Sequence, residues 1–311
     1  MLLYMDIICS IMNAVLLSYG VFMRAFYENR TYMPEIPVSA FIAEDMDFVA
    51  HWHTDIEMMY VYKGCIGVGI NSEYKVLSEG EISICASNDI HYYNRDNMTS
   101  TTLLIIFRPS LLSSIMSFHD GVLPCSIFID KDYLDHSGDG TDTALKVQAA
   151  IKLILESIKE EMNQMEALYP LFTTMRISEL FLTLFRYFPD YYAESKKKLN
   201  SSHSPDDITP MQKALIFLEN NYTQNISLEI ISKEVSLSRF YFSRLFQKTT
   251  GMNFNNYLTH IRVDKAEELI KAGRQPIVDI AYETGFNSIR TFNRSFRSIK
   301  GRTPQSVRYN M

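Results

Sequence analysis

The chain has 311 residues, which is enough for two domains that each bury a hydrophobic core. Its 30 Lys and Arg residues and 36 Asp and Glu residues give a net charge of −6, which excludes a protein that is basic along its whole length. The four cysteines lie far apart in apolar settings. They indicate reduced, mostly buried thiols in a cytoplasmic protein rather than a disulfide framework.

The first 36 residues include a strongly apolar stretch, Ile7–Met23. It is 17 residues long and interrupted by Ser and Asn, whereas a membrane span needs about 20 predominantly apolar residues. A secretory signal would require a basic segment before the apolar core, and Asp6 stands there instead. The sequence therefore predicts an amphipathic helix packed on the next domain, or an extension upstream of the natural start, and no membrane partner.

The pattern of residues 37–135 predicts an all-β unit. Short runs rich in β-branched and aromatic residues alternate with turn residues. The clearest predicted strands are Met58–Tyr62, Gly67–Ile70, Glu81–Ile84 and Leu103–Phe107. A unit of this size suits a small barrel or a jelly roll.

Three histidines, a tryptophan and a glutamate form a pattern in this unit. His51, Trp52 and His53 are followed by Glu57 and later by His91, an arrangement that resembles the pattern of cupin barrels. On a strand, residues 51, 53 and 57 share one face, so two imidazoles and the carboxylate would converge inside a barrel with His91. We therefore predict a cupin-like barrel with these residues inside it, where they could contact a small molecule, form a structural histidine pair or bind a metal.

Residues 136–189 contain two stretches with helical periodicity, Ala144–Met162 and Ala167–Phe188. The apolar stripe of the first stretch is Val147, Ile151, Ile154, Ile158 and Met162. The broader apolar face of the second is Leu171, Met175, Leu184, Phe185 and Phe188. Both helices are expected to pack on the preceding domain.

Residues 190–209 are predicted to be a linker, because they combine the lysine run 196–198 with little apolar content. Thr209 and Pro210 then form a helix start signal, with Thr as the N-cap and Pro at the first helical position. The next domain is therefore expected to span residues 210–311.

Within residues 210–311 the same pattern occurs twice, about fifty positions apart. Each copy predicts a helix, a tight turn and a second helix. In the first copy these are residues 228–235, Ser236-Leu237, and a helix capped by Ser238 that runs to about Thr250. In the second they are residues 277–284, a turn at Gly285, and a helix capped by Ser288 that runs to about Lys300. Two helix-turn-helix motifs in one chain predict two reading heads for one DNA duplex.

Residue types at helical spacing support DNA as the partner. Phe242 and Phe246, like Phe292 and Phe296, belong to the predicted buried faces. The predicted DNA contacts are Arg239, Phe240, Ser243, Arg244 and Gln247 in the first copy and Ser288, Arg290, Asn293, Arg294 and Arg297 in the second. Arg suits guanine edges and phosphates, and Asn can pair with adenine. Residues 211–311 carry 15 basic and 8 acidic side chains, so the predicted polyanion-binding part has a net charge of +7.

The motif from Ser238 to Gly251, followed by Phe254, Arg262 and the second copy through Pro304, resembles the DNA-binding module of AraC/XylS-type transcription regulators. One departure is Ser236, where the family commonly has Gly. The resemblance implies that residues 254–271 form a stiff helix that holds the two reading helices in consecutive major grooves. The resemblance also implies a homodimer joined through the helical segment of residues 136–189, a double-stranded DNA operator and RNA polymerase as a candidate partner. It further implies that a sugar or other small metabolite is the effector, with the Trp52 ring available for stacking. The implied effector-binding residues are His51, Trp52, His53, Glu57 and His91.

The sequence thus predicts a multidomain regulator and no enzyme: a cupin-like barrel with a helical dimerisation segment, then an all-α double helix-turn-helix domain. The alternative is a metal-dependent cupin enzyme, of the dioxygenase or isomerase type, that carries a DNA-binding domain. His51, His53, Glu57 and His91 offer three nitrogens and one oxygen, a donor set that suits a divalent transition metal. Ala86 and Asn88, however, stand where metal cupins usually have Pro and Gly. We therefore expect no metal and no cofactor.

Overall fold

The structure is a computed structural model that describes residues 32–113, 122–137, 141–200, 209–273 and 275–309. The predicted apolar helix at Ile7–Met23 lies outside these residues, as does Cys9. The chain divides into two compact units. The first unit draws on residues 26–220 and 226–257, and the second on residues 221–225 and 258–311.

Eight strands within the described residues form the N-terminal part of the first unit, and every pairing between them is antiparallel. They are β1 Val38–Glu44, β2 Phe48–His51, β3 Ile56–Ile70, β4 Glu73–Ser78, β5 Ile82–Cys85, β6 His91–Asn94, β7 Ser100–Phe107 and β8 Ile127–Ile129. The first half of β3 pairs with β5 and β7, and its second half pairs with β4 and β6. The prediction of a β-rich N-terminal part is confirmed.

The predicted strands at residues 58–62 and 67–70 are one 15-residue strand. Gly64 lies at the bend of this strand with φ 76°, and a Cβ there would lie 2.0 Å from the Thr99 carbonyl oxygen. The register with β7 shifts between Val61 and Lys63. The glycine therefore bends β3 between its two sets of partners without ending it, whereas the sequence pattern indicated a turn.

Four helices follow: α1 Lys131–Ser137, α2 Thr141–Gln164, α3 Tyr169–Tyr187 and α4 Pro189–Asn200. The two predicted helices correspond to α2 and α3. All five residues of the predicted α2 stripe are buried, in one core with apolar residues of β1, β3, β5 and β7. The rings of Phe107 on β7 and Phe181 on α3 lie 5.9 Å apart, so α3 shares this core.

The predicted apolar face of α3 is only partly correct. Leu184 and Phe188 are buried, but Leu171 and Met175 are 62% and 66% exposed. The buried residues within α3 are Thr173, Ile177, Leu180, Phe181 and Leu184. The face of α3 that packs in the core therefore coincides with the predicted apolar face only at its C-terminal end.

The predicted linker at 190–209 is wrong for its first half, because helix α4 extends through Asn200. Pro189 starts the helix, Asp190 lies in its first turn, and both are favourable at a helix N-terminus. Tyr191 and Ser195 are buried, and both side chains hydrogen-bond to the backbone of Cys125. The Tyr191 hydroxyl donates to the Cys125 carbonyl, and Ser195 Oγ accepts from the Cys125 N–H. These contacts, together with the packing of Tyr191 and Tyr192 on Phe185, attach a helix that is polar overall. Residues 201–208 lie outside the described part.

The C-terminal helices are α5 Pro210–Asn221, α6 Leu228–Glu234, α7 Arg239–Thr250, α8 Phe254–Ala272, α9 Ile277–Glu283, α10 Ile289–Lys300 and α11 Pro304–Tyr309. The predicted start at Thr209 is confirmed by reciprocal capping. Thr209 Oγ1 accepts from the Gln212 N–H at 3.2 Å, and Gln212 Oε1 accepts from the Thr209 N–H at 2.6 Å. Across the described residues, none of the helices is long and apolar enough to span a membrane.

Candidate nucleic-acid interface and buried polar site

The first helix-turn-helix consists of α6 and α7. Ser236 takes a left-handed conformation between them, with φ 57°, so a serine occupies the backbone state that glycine adopts more easily. Ser238 caps α7 by accepting from the Tyr241 N–H, and Gly251 ends the helix at φ 75°. We call α7 the first reading helix.

The two sides of α7 differ as predicted. Phe242 and Phe246 are fully buried, and their ring centroids lie 5.4 Å apart. The candidate contact residues on the other side are exposed, except for Ser243, which is half-buried; they are Arg239, Phe240, Arg244 and Gln247. Phe240 is 82% exposed, so a large apolar ring faces outward beside two guanidinium groups. The helix therefore offers both hydrogen-bond donors and an apolar contact to a groove.

The second helix-turn-helix consists of α9 and α10, and its turn requires glycine. Gly285 has φ 85°, and a Cβ there would lie 2.8 Å from the Thr223 carbonyl oxygen. Ser288 caps α10, the second reading helix, by accepting from the Thr291 N–H. Phe292 and Phe296 are fully buried, whereas Ser288 is half-buried and the other candidate contacts are exposed: Arg290, Asn293, Arg294 and Arg297.

An ion-pair cluster fixes the end of α10 to α8. Lys300 Nζ lies 2.7 Å from Asp264 Oδ1 and 2.9 Å from Glu267 Oε2, and Arg302 reaches the other Glu267 oxygen at 2.6 Å. Burial acts to lower the pKa of Lys300, but the two carboxylates raise it. Burial raises the pKa of Asp264 to about 6, even though Lys300 acts in the opposite direction. Lys300 therefore compensates two carboxylates that are themselves mostly buried.

A second candidate site lies inside the β-rich part. His51, His53, Glu57 and His91 are each about 1% exposed, and one possible ligand atom from each lies within 4.8 Å of all the others. The antiparallel pairing of β2 with β6 places His51 directly opposite His91. The four predicted residues are thus brought together, which we call the histidine–glutamate cluster.

The reason for this convergence differs from the predicted one. Only His51 belongs to β2, Glu57 belongs to β3, and His53 lies in the connection between the two strands. The three residues therefore do not share one face of a single strand. Trp52, the fifth predicted residue, is 7% exposed and sits next to the cluster in sequence.

Backbone carbonyls orient all three imidazoles. The Nδ1 atoms of His51, His53 and His91 lie 3.1, 3.1 and 3.0 Å from the carbonyl oxygens of residues 49, 55 and 89. A carbonyl oxygen can only accept, so each Nδ1 carries the hydrogen. Nε2 is then the ring nitrogen left for a further partner, which in His53 is Glu57 Oε2 at 3.0 Å. Proteins orient metal-binding histidines in the same way.

Glu57 is the anion of the cluster. Its oxygens lie 3.0 Å from His53 Nε2, 3.6 Å from His91 Nε2 and 2.5 Å from the Tyr93 hydroxyl, which donates to it. Burial acts to raise the pKa of Glu57, but the hydrogen bond from His53 and the nearby His91 hold it well below its usual range. Burial acts to lower the pKa of His91, but the adjoining Cys85 sulfur and the Glu57 carboxylate raise it well above its usual range. The environment therefore favours the anionic form of Glu57 and the cationic form of His91.

Tyr93 and Cys85 were not predicted as site residues. Tyr93 follows His91 by two positions on β6 and so shares its strand face, a period-two signal that the sequence does contain. Cys85 lies directly opposite Glu57 in the β3–β5 pairing, with its sulfur 3.0 Å from His91 Nδ1. Burial raises the pKa of the Cys85 thiol, although the adjoining His91 acts in the opposite direction. Only the strand register identifies Cys85.

The donor set fits a divalent transition metal such as zinc, iron or nickel, because three imidazole nitrogens and one carboxylate converge in a buried place. Asn88 has φ 68°, so the chain makes the left-handed turn at the position where metal cupins usually have Gly. The replacement noted in the sequence therefore does not remove the turn. His51, His53, Glu57 and His91 would hold such an ion, which would supply Lewis acidity or redox chemistry.

Comparison with known proteins adds independent findings. A family model described as a helix-turn-helix domain matches residues 231–310. The chain is 24% identical over 296 residues to the uncharacterized HTH-type transcriptional regulator YdeC of Bacillus subtilis, covering 92% of this chain and 96% of that protein. It is 23% identical over 311 residues to the melibiose operon regulatory protein of Escherichia coli, covering 94% and 96%.

Two further similarities concern a shorter relative and a solved structure. The Tn10 TetD protein of Escherichia coli is 30% identical over 102 residues, which cover 33% of this chain and 74% of that protein. The solved structure of ToxT from Vibrio cholerae aligns with 88% of this chain and 98% of its own, at 17% identity and a TM-score of 0.41.

Proposed function

Because the chain belongs to the AraC/XylS family of transcription regulators, we propose that it is a ligand-responsive regulator that binds a specific DNA operator through its two reading helices. The observation that carries this proposal is the pair of capped helices with buried phenylalanines on one side and exposed Arg, Asn and Gln on the other. Exposed bidentate donors at the start and middle of a helix suit the major groove.

The reading faces are tested by removing one guanidinium from each. Arg244→Ala and Arg294→Ala should each weaken operator binding by about 1–3 kcal/mol if the contact is bidentate to guanine. Arg176→Ala is the matched control, since Arg176 is an exposed arginine of α3 that pairs with Glu179. Operator duplexes selected from a random pool on the full-length protein provide the ligand for a binding titration. Parent-like affinity of both reading-helix variants would show that the reading faces are misplaced.

We propose that the effector binds at the histidine–glutamate cluster and that the β-rich part is a cupin-type sensor. Buried imidazoles oriented by backbone carbonyls beside a carboxylate form a set of donors and acceptors suited to a polar small molecule. A sugar is the first candidate, in keeping with the similarity to the melibiose operon regulatory protein along almost the whole chain.

We also propose that the protein self-associates through α3. Leu171, Met175 and Leu182 are 62%, 66% and 43% exposed, and their spacing places them on one side of α3. An apolar stripe left in water by its own protomer suits a second copy of the same helix.

We expect Met175→Glu to convert a homodimer to a monomer, because it places a charge in the middle of this stripe. Val76→Glu is the matched control, since Val76 is 49% exposed on β4. Sedimentation velocity of the full-length variants measures the outcome. A dimer that persists in Met175→Glu at the parental concentration range would place the interface elsewhere.

The second candidate function is a metal-dependent cupin enzyme with a DNA-binding domain, and the fit of the donor set to a transition metal favours it. For the regulator we expect substoichiometric metal, because the Glu57 oxygens already accept from His53 and Tyr93 within the protein. Elemental analysis of the purified full-length protein measures the metal content. About one equivalent of metal that is released by His53→Ala, together with turnover of a small molecule, would favour the enzyme.

A further inference from the structure

We propose that the occupant of the histidine–glutamate cluster controls the first helix-turn-helix through two backbone segments, residues 49–53 and 88–92, which contact both. This inference rests on the proposed function, since it assigns a route of regulation to the proposed effector site. All the contacts that carry it lie within the first compact unit, which contains the β-rich part, α5 and the first helix-turn-helix.

The two segments hold the imidazoles of the cluster. The residue 49 carbonyl accepts from His51, and the residue 89 carbonyl accepts from His91. The segments are also joined to each other, because the Asn88 N–H donates to the His53 carbonyl at 2.8 Å. A ligand that rotates or displaces these imidazoles therefore pulls directly on the two backbones.

The same segments hydrogen-bond the helices on either side of the first helix-turn-helix. The Tyr257 hydroxyl, on α8, donates to the Ala50 carbonyl at 2.6 Å, and both residues are fully buried. Gln212 Nε2, on α5, donates to the Asn88 carbonyl at 2.9 Å, and Gln212 is 3% exposed. Of these two acceptors, the Ala50 carbonyl belongs to the residue before His51. The Asn88 carbonyl belongs to the residue before residue 89, whose carbonyl accepts from His91.

A third contact reaches the first reading helix itself. Gly251 ends α7, and a Cβ at this position would lie 2.6 Å from the Tyr92 ring, so the helix end approaches the residue after His91 as closely as glycine permits. Tyr257 also packs on α7, with its ring 5.3 Å from the Phe246 ring. Movement of either segment would therefore reach α7 through packed, buried groups.

This contact leaves the reading face free. Arg239, Phe240, Arg244 and Gln247 are exposed while Phe246 and Tyr257 are buried. The inferred control is therefore over the position and rigidity of α7, and it does not require the sensor to cover the DNA-binding surface. A ligand can shift such an equilibrium only by its different affinity for the two arrangements.

The experiment is a double-mutant cycle on the full-length protein, read by amide hydrogen exchange. Tyr93→Phe perturbs the cluster by removing one hydroxyl, and Glu57→Gln perturbs it more strongly by removing the charge. Tyr257→Phe removes the hydrogen bond to Ala50 and keeps the ring. Tyr191→Phe is the matched control, because it removes an equally buried hydroxyl that donates to the Cys125 carbonyl in the same compact unit.

We expect each cluster variant to raise exchange in Arg239–Thr250 by roughly 5-fold or more, within the usual range of coupling between sites. Exchange in Ile289–Lys300 should stay unchanged. In the Tyr257→Phe background the same cluster variants should have less than half this effect, whereas the Tyr191→Phe background should leave it intact. If Glu57→Gln raises exchange everywhere because the protein is destabilised, Tyr93→Phe decides the outcome.

An equal effect of the cluster variants in both tyrosine backgrounds, or no effect on α7, would overturn the proposed route. Neither DNA nor an identified effector is needed for this measurement. Failure of the route is therefore distinguishable from failure of the proposed function, which loss of operator binding in Arg244→Ala and Arg294→Ala tests separately.

Discussion

Lys300→Ala is expected to destabilise the second compact unit by about 3–5 kcal/mol, because it leaves the buried Asp264 carboxylate without its cationic partner. Asp264 and Glu267 would face each other without the ammonium that now lies within 3 Å of both. Since Lys300 is the last residue of α10, the second reading helix would also lose the ion pairs that join its end to α8. Operator binding should therefore weaken together with stability.

The stability difference between Lys300→Ala and the parent should depend on pH in a definite direction. The raised pKa of Lys300 means that its contribution is fully present below about 10.5 and is lost only above that pH. The pKa of Asp264 is raised to about 6, so this carboxylate takes up a proton in the folded protein as the pH falls through that value. Lys300 lowers the pKa of Asp264, so without it this carboxylate takes up its proton at a pH above 6. The stability deficit of Lys300→Ala should therefore be largest at high pH and shrink as the pH falls toward 6.

Chemical unfolding of the full-length variants measures the effect. Lys271→Ala is the control, because Lys271 is more exposed and lies 3.6 Å from the same Glu267, so its loss should cost about 0–1 kcal/mol. Similar stabilities for the Lys300 and Lys271 variants would mean that the buried cluster contributes nothing specific.

Glu57→Ala is expected to cost a comparable amount, about 3–5 kcal/mol, because it removes the only carboxylate among three buried imidazoles. Glu57→Gln should cost less, since its amide oxygen can still accept from the Tyr93 hydroxyl. Glu44→Ala is the matched control: Glu44 is exposed, and it too accepts one hydroxyl hydrogen bond, from Thr101.

Thermal unfolding of the three variants with and without a panel of sugars gives two results at once. A sugar that binds the folded parent raises its apparent stability, and Glu57→Gln should lose that increase. An undiminished increase in Glu57→Gln would separate the effector site from the cluster, whatever the stability of the variant.

The helix-turn-helix motifs could be predicted almost completely from the sequence, because the interactions that define them are local. Ser238 and Ser288 each cap the helix that follows within three residues, and Gly285 takes the positive φ expected of it. The paired phenylalanines of α7 and α10 are buried where the helical period places them. The identity of the family follows from the same short-range signals.

What the tertiary structure decided depends on residues that are far apart in sequence. Helix α4 is polar overall, and two buried contacts to Cys125 hold it where composition indicated a linker. His53 joins the cluster from a connection between strands, and Cys85 joins it through the β3–β5 register. Pairing register and long-range packing have no period in the sequence. The sequence could therefore nominate the four cluster residues, but only the fold shows how carbonyls orient them and which helices share those backbones.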